Sequence, residues 1–386
     1  MSICKMRGIE KAVSEKRIAL FSSLAIKILA SSLFLPICAF SPPIAKAEII
    51  SDETTNTTVI PNGNNFTITN GTRIGNNLFH SFSKFSVPNK GLAFFSNAAE
   101  IKNIFSRVTG GNISHIDGLI GTNGKANLFF INPTGIIFGE NAVLNVGGSF
   151  IASTADSILF EDTTSFSATE GNTPPLLTIS IPTGLQTGAN PGKIEVQGPG
   201  HNLIVDPTTG IIDASNRPLG LLALPDQTLA LIGSKVSMEG GNITGFGGRI
   251  EIGSISADET ITLNPSNSGF VLGYESIGKF EDINITQASS VFNTNSGEIQ
   301  IQGKQITITD ASPVTASTQN DLPGGSIYVH ASESLTAITS KTNIIPSGLF
   351  AIVFAGASGN GGNVEVKTED LRLVGGGQIT ANSQHI

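Results

Sequence analysis

Tryptophan is missing from the 386 residues, tyrosine occurs twice, and only 13% of positions carry a charge. Cysteine is confined to Cys4 and Cys38. Each scarcity excludes something. With 22 Lys and Arg against 30 Asp and Glu, the formal net charge is −8, which argues against a nucleic-acid partner held by phosphate neutralisation. Without thiols beyond Cys38, the rest of the chain forms neither a disulfide nor a cysteine-ligated metal site. Sparse charge with 39% hydrophobic residues excludes an acidic disordered chain. What is abundant instead is Gly, at 44 residues, together with Asn, Ser and Thr: the composition of an all-β body with many turns.

The first 47 residues read as a separate object. Lys5, Arg7, Lys11, Lys16 and Arg17 form a basic leader, Ile28 to Phe40 an apolar stretch, and Ala45-Lys46-Ala47 a small-residue cleavage site. That order predicts a signal peptide for the general secretion machinery, cut after Ala47. This stretch of 13 residues, interrupted by Pro36, falls short of the roughly 20 needed to span a bilayer. The leader takes both cysteines and leaves 15 Lys and Arg against 28 Asp and Glu, a net of −13 on residues 48–386.

Beyond the leader almost nothing reads as helix. Short period-2 segments recur, rich in β-branched residues and broken by Gly or Asn. The clearest is Gly-x-Ile/Val-x-Ile/Val, at Gly192–Val196, Gly248–Ile252, Gly297–Ile301, Gly325–Val329 and Gly362–Val366. In each, two aliphatics face one way with a polar residue between them. Ile306–Ser317 and Leu371–Asn382 match as strand, turn, strand at an offset of 65. Spacings of 56, 49, 28 and 37 between the Gly-led strands exclude a strict period and fit coils with loops of variable length. The physical solution is a parallel β-helix, favoured over a β-sandwich array. The 31 Asn of residues 48–386 serve its turns and ladders. At roughly 20–25 residues per coil, the chain would build about 14–17 coils and a rod of roughly 70–80 Å. After Thr380 no polar cap is visible, which reads as a truncated member of a longer family or an edge covered by partners.

Catalytic and metal motifs are hard to find. No two of His80, His115, His201, His330 and His385 lie closer than 35 residues, so there is no local ligand set. Glu161-Asp162, Glu281-Asp282 and Glu369-Asp370 are adjacent pairs, which point to opposite faces of a strand and make no acid/base couple. Only five Arg remain after the leader, and neither a phosphate loop nor a calcium β-roll repeat is present. The expectation is a non-enzyme with no catalytic residues, metal or cofactor.

One region is specific. Ser106–Ile120, Ala126–Gly139 and Leu144–Thr154, followed by Gly220–Leu224, Leu229–Thr244 and Gly247–Gly253, resemble in order the filamentous haemagglutinin N-terminal domain, also called the two-partner secretion domain. The family's Asn-Pro-Asn-Gly-Ile motif matches Asn132-Pro133-Thr134-Gly135-Ile136, with Thr134 for the third Asn. Its second motif, Asn-Pro-Asn-Leu, is absent as such, with Asn97 as the one remnant. Pro133 and Gly135 would end a strand at Ile131 and start the next at Ile136.

The resemblance implies a right-handed parallel β-helix with small extra-helical strands or hairpins. It also implies export by a cognate outer-membrane β-barrel transporter and a role at the cell surface as an adhesin or haemagglutinin, the partner being a host, neighbouring-cell or matrix surface. Asn132–Ile136 would serve transporter recognition or folding. On this reading 1–47 is the signal peptide, 48–260 the secretion domain, and 261–386 further coils that read as truncated. The alternatives are a secretion-module remnant of a longer exoprotein and a β-helix polysaccharide-degrading enzyme.

Overall fold

Alternation decides the architecture. Where every second residue is aliphatic, a strand can bury one side and stack in register on the strand a coil earlier. In the computed structural model, which describes residues 48–383 apart from 171–173, 206–207, 209–211, 268 and 355, the first face stacks Leu78, Ile104, Leu128, Phe150, Leu229, Ile250, Ile299, Ile327 and Val364, each parallel to the next. These are nine coils of a β-helix. The second face stacks Ile116, Phe138, Val196, Met238, Ile285, Ile308, Ala337 and Leu373. The described residues contain no helix.

The third face is made of two sheets, of five and six strands. The first ends at Val143–Asn145 and the second begins at Leu221–Ala223, with no ladder between them. From Leu221 the inner stack runs on through Ile243, Val291, Val314, Leu349 and Ile379. Ile250, Ile252, Ile299, Ile301, Ile306 and Ile308 are fully buried on the axis, and each such side chain contributes about 1.5–3 kcal/mol.

Three excursions leave the coils, between residues 153 and 194, 197 and 221, and 254 and 283. The first and third supply Ser157–Phe160, Ser165–Ser167, Pro182–Gln186, Thr260–Ser266 and Gly269–Gly273, which form one antiparallel sheet. This sheet lies over the outer side of the first face and encloses a second core. Phe79, Phe105 and Phe129 stack there at centroid distances of 5.0 and 4.9 Å. Phe166, Phe160 and Phe270 meet that stack edge-on.

The excursions correct two expectations. Because they take residues out of the stack, there are nine coils rather than 14–17, and eight steps of about 4.8 Å give a first face roughly 38 Å long instead of 70–80 Å. The Gly-led copies are also not all equivalent. Those at 248, 297, 325 and 362 lead successive coils of the first face, so 49, 28 and 37 are coil lengths. The copy at Gly192 lies on the second face, between Ile136–Phe138 and Val236–Glu239. The offset of 65 spans two coils, through Leu335.

The first coil is closed by antiparallel strands. Glu48–Ser51 and Thr72–Ile74 both pair with Asn77–Ser86, and Thr57–Asn62 forms a hairpin with Asn65–Asn70. Arg107, 1% exposed, ties this cap to the antiparallel sheet. It donates to the Ser81 hydroxyl at 2.7 Å, to Thr54 at 2.9 Å and to the Ser167 carbonyl, and lies over the Phe166 ring. Asp52 accepts from Ser81 and Thr109 in the same network. Asn77, Asn103 and Asn127 form an amide ladder, with bonds of 3.0 and 2.9 Å. At the other end, Leu371 and Leu373 of coil 9 are 47% and 45% exposed.

Candidate functional site

The Asn132–Ile136 turn joins two strands, Asn127–Ile131 on the first face and Ile136–Phe138 on the second. Pro133 cannot donate to a ladder and fixes its own φ, which stops the first strand. Asn132 is fully buried. Its Oδ1 accepts from the Thr134 backbone N–H at 3.0 Å, closing an Asx turn. Its Nδ2 donates to the Asn112 carbonyl and the Ser114 hydroxyl, both at 2.9 Å. One side chain thus shapes its own turn and fastens it to the coil before. Gly135 has φ 135°, a conformation that L side chains rarely adopt.

The coil after holds the turn from the other side. Gly192 N–H donates to the Pro133 carbonyl at 2.7 Å, and Ile136 N–H to the Lys193 carbonyl at 3.0 Å. A Cβ on Gly192 would lie 2.4 Å from the Thr134 backbone, so only glycine fits. This contact is invisible in sequence, where Gly192 merely opens a strand. Of the five motif residues, Thr134 alone is exposed and Pro133 is half-buried. Asn97 lies on the third face, where it exchanges side-chain and backbone bonds with Asn123 at 2.9 and 3.0 Å. The predicted cleavage residues Ala45 and Ala47 lie outside the described residues.

Other buried polar groups hold the fold. His80 is 1% exposed, its Nδ1 3.0 Å from the Thr57 hydroxyl, and burial lowers its pKa to about 3. His201, also buried, accepts the Leu203 N–H at Nδ1 and so donates from Nε2 to the Ala311 carbonyl at 2.7 Å. On the outer side of coil 6, Glu251 is fully buried and 2.5 Å from Arg249 Nε. Burial pushes the Glu251 carboxyl up to about 7 against the pull of that guanidinium. Burial lowers Arg249 as well, but Glu251 and Glu298 outweigh it and raise the guanidinium pKa. The close contact with a charged guanidinium decides for an ion pair. Arg249 also binds Glu298 and the Gln300 Oε1, so these carboxylates are held by a cation and do not form a free acid/base pair. Among the described residues no group of three His, Cys, Asp or Glu could hold a metal ion.

Comparison with known proteins gives one family. A model described as the TPS secretion domain matches residues 47–308. Among solved structures the chain is similar to the HMW1 secretion domain from Haemophilus influenzae, at 19% identity and a TM-score of 0.42, covering 88% of this chain and 96% of that one. It is also similar to a filamentous hemagglutinin secretion domain, at 13% identity and a TM-score of 0.35, covering 88% and 99%. No curated protein matches.

Proposed function

The chain belongs to the TPS secretion domain family, and from that premise we propose that it leaves the cell through a dedicated outer-membrane β-barrel transporter and acts at the surface as an adhesin. The family match over residues 47–308 carries the reading. The leader ending in Ala45-Lys46-Ala47 takes the chain across the inner membrane by the general secretion machinery, and cleavage after Ala47 leaves Glu48 as the first residue. Glu48 opens the strand Glu48–Ser51 that closes coil 1.

Two physical features support passage as an unfolded chain. Residues 48–386 contain no cysteine, so no covalent link obstructs threading. Each coil buries its aliphatics against the coil before it, so folding can proceed outward from the closed first coil as the chain emerges.

Within this route the Asn132–Ile136 motif serves the fold first. Asn132 is sealed inside the folded domain, so a transporter that reads its side chain reads it before folding, whereas Thr134 stays accessible. The test is to express the chain with and without the candidate transporter and to assay medium and cell surface for protein beginning at Glu48. Transporter-dependent release is the expected result; retention in the periplasm in both cases overturns the reading. Asn132→Ala removes three hydrogen bonds from a buried turn, at a cost of about 1–3 kcal/mol. It should reduce release together with thermal stability of the purified domain. A variant that folds as stably as the parent yet stays inside would assign Asn132 to recognition.

A further inference from the structure

Where the antiparallel sheet stops, its last turn forms a wall beside the uncovered outer side of coils 7–9. Tyr274, Ile277 and Phe280 stand on that wall and line a cavity of about 270 Å³; it shares Gln300, Gln302, His330 and Lys367 with a second of about 470 Å³ over Arg249, Glu298 and the strands of coils 7–9, and the two together make one open cleft. Six side chains present polar groups there, in two rows: Gln300, Tyr328 and Glu365, then Gln302, His330 and Lys367. Neighbours within a row are about 4.8 Å apart, and the rows are two residues, or about 6.8 Å, apart along the strands.

The hydrogen-bonding ends of these groups are oriented. Gln300 Oε1 is taken by Arg249 and Gln302 Oε1 by His330 Nδ1 at 3.1 Å, which leaves the amide NH₂ groups as the donors these two side chains can offer a ligand. His330 therefore carries its proton on Nδ1 and offers Nε2 as an acceptor, its ring braced edge-on against Phe280 at 5.4 Å. Burial and the nearby Lys367 lower the pKa of this imidazole. Carboxylates outnumber cations: Arg249 is committed to Glu251 and Glu298, and Lys367 is the one further cation, beside Glu365 and Glu275.

We propose that this cleft binds an uncharged oligosaccharide, the amide NH₂ groups of Gln300 and Gln302, the Tyr328 hydroxyl and the His330 Nε2 taking sugar hydroxyls while the Ile277 side of the wall covers an apolar ring face. Hydroxyls both donate and accept, which suits a grid that mixes fixed donors with a bare acceptor. An anionic ligand would meet Glu298 and Glu365 as well as Lys367. An extended peptide would need free backbone groups, and the strands of coils 7–9 are already paired with one another. The volume falls in the range of small-ligand sites. The inference deepens the adhesive reading and rests on it only for where the ligand is met.

The test uses the purified full chain on an array of neutral hexose, N-acetylhexosamine and hexuronate oligomers, followed by calorimetric titration of those retained. Neutral oligomers should be retained. The double variant Gln300→Leu, Gln302→Leu should weaken binding at least about tenfold and Tyr328→Phe about threefold, with Lys341→Ala on a remote loop unchanged. These side chains are half-exposed, so circular dichroism should stay parental in each variant; the denaturation midpoint should stay parental in Tyr328→Phe and fall only slightly in the double variant, which removes the Gln300 acceptor of Arg249. Retention of no oligomer overturns the proposal, as does equal affinity in the double variant or retention of hexuronates alone through Lys367. Purified protein is used throughout, so failure of export in the secretion assay leaves this outcome unaffected.

Discussion

On the outer side of the first face, coils 1–5 and coils 7–9 carry opposite chemistry over one inner scaffold. The same register position reads Phe79, Phe105, Phe129, Ile151 and Ala230 in the first group, then Gln300, Tyr328 and Glu365 in the second. Glu251 of coil 6 stands between them, buried yet charged. Inside, the row that begins at Leu78 stays apolar throughout, Leu78, Ile104, Leu128, Phe150 and Leu229 in the first group and Ile299, Ile327 and Val364 in the second. The inner rows therefore make a coil, while the outer row decides whether anything packs on it. An apolar outer row recruits the antiparallel sheet and gains a second core; a polar one remains open and free to bind.

The comparison breaks most visibly at Phe105. Phe105→Ala should cost about 3–5 kcal/mol, measured by urea denaturation, while Tyr328→Ala at the same register in coil 8 should cost under about 1 kcal/mol. Equal losses would mean that the cover adds nothing beyond the coils. At the junction, Arg249→Ala leaves Glu251 buried without its cation and should cost about 3 kcal/mol or more. Glu251→Gln made in addition should recover part of that loss.

Acid separates the two groups of coils further. His80 faces inward in coil 1, and its pKa of about 3 lies below the ordinary 6.5, so the unfolded chain takes up its proton first as pH falls. Stability should then be unaffected by this group above pH 6.5 and decline at up to about 1.4 kcal/mol per pH unit between 6.5 and 3. His80→Asn should remove that slope, read from denaturation midpoints at several pH values. If the slope persists, the acid sensitivity lies elsewhere. The smallest effect is expected at Thr134, the exposed residue of the motif turn, where Thr134→Asn should change stability by no more than about 0.5 kcal/mol.

Much of the inner scaffold was legible because it is local. The alternation in Gly297–Ile301 and its later copies announces a strand with one buried side, and Asn132-Pro133-Thr134-Gly135 announces a turn whose flanking strands run to Ile131 and from Ile136, as observed. The count of coils was not legible. Ser157–Phe160 and Thr260–Ser266 alternate just as coil strands do, and nothing local tells a strand that stacks from one that leaves the stack. The partners of Arg107 lie 26 to 60 residues away along the chain, beyond any pattern of neighbours. In the cleft, the polar positions of coils 7–9 could be read as outward-facing, but the wall at 274–280 depends on where an excursion returns.

One residue of the second face has a chemical consequence of its own. Met238 is the only sulfur-bearing residue in 48–386, and it is fully buried between Val196 and Ile285. The surface of this stretch thus holds neither thiol nor thioether, the two side-chain groups that peroxide attacks first. Peroxide therefore meets no exposed sulfur between residues 48 and 383, and reaches Met238 only when the coils around it open.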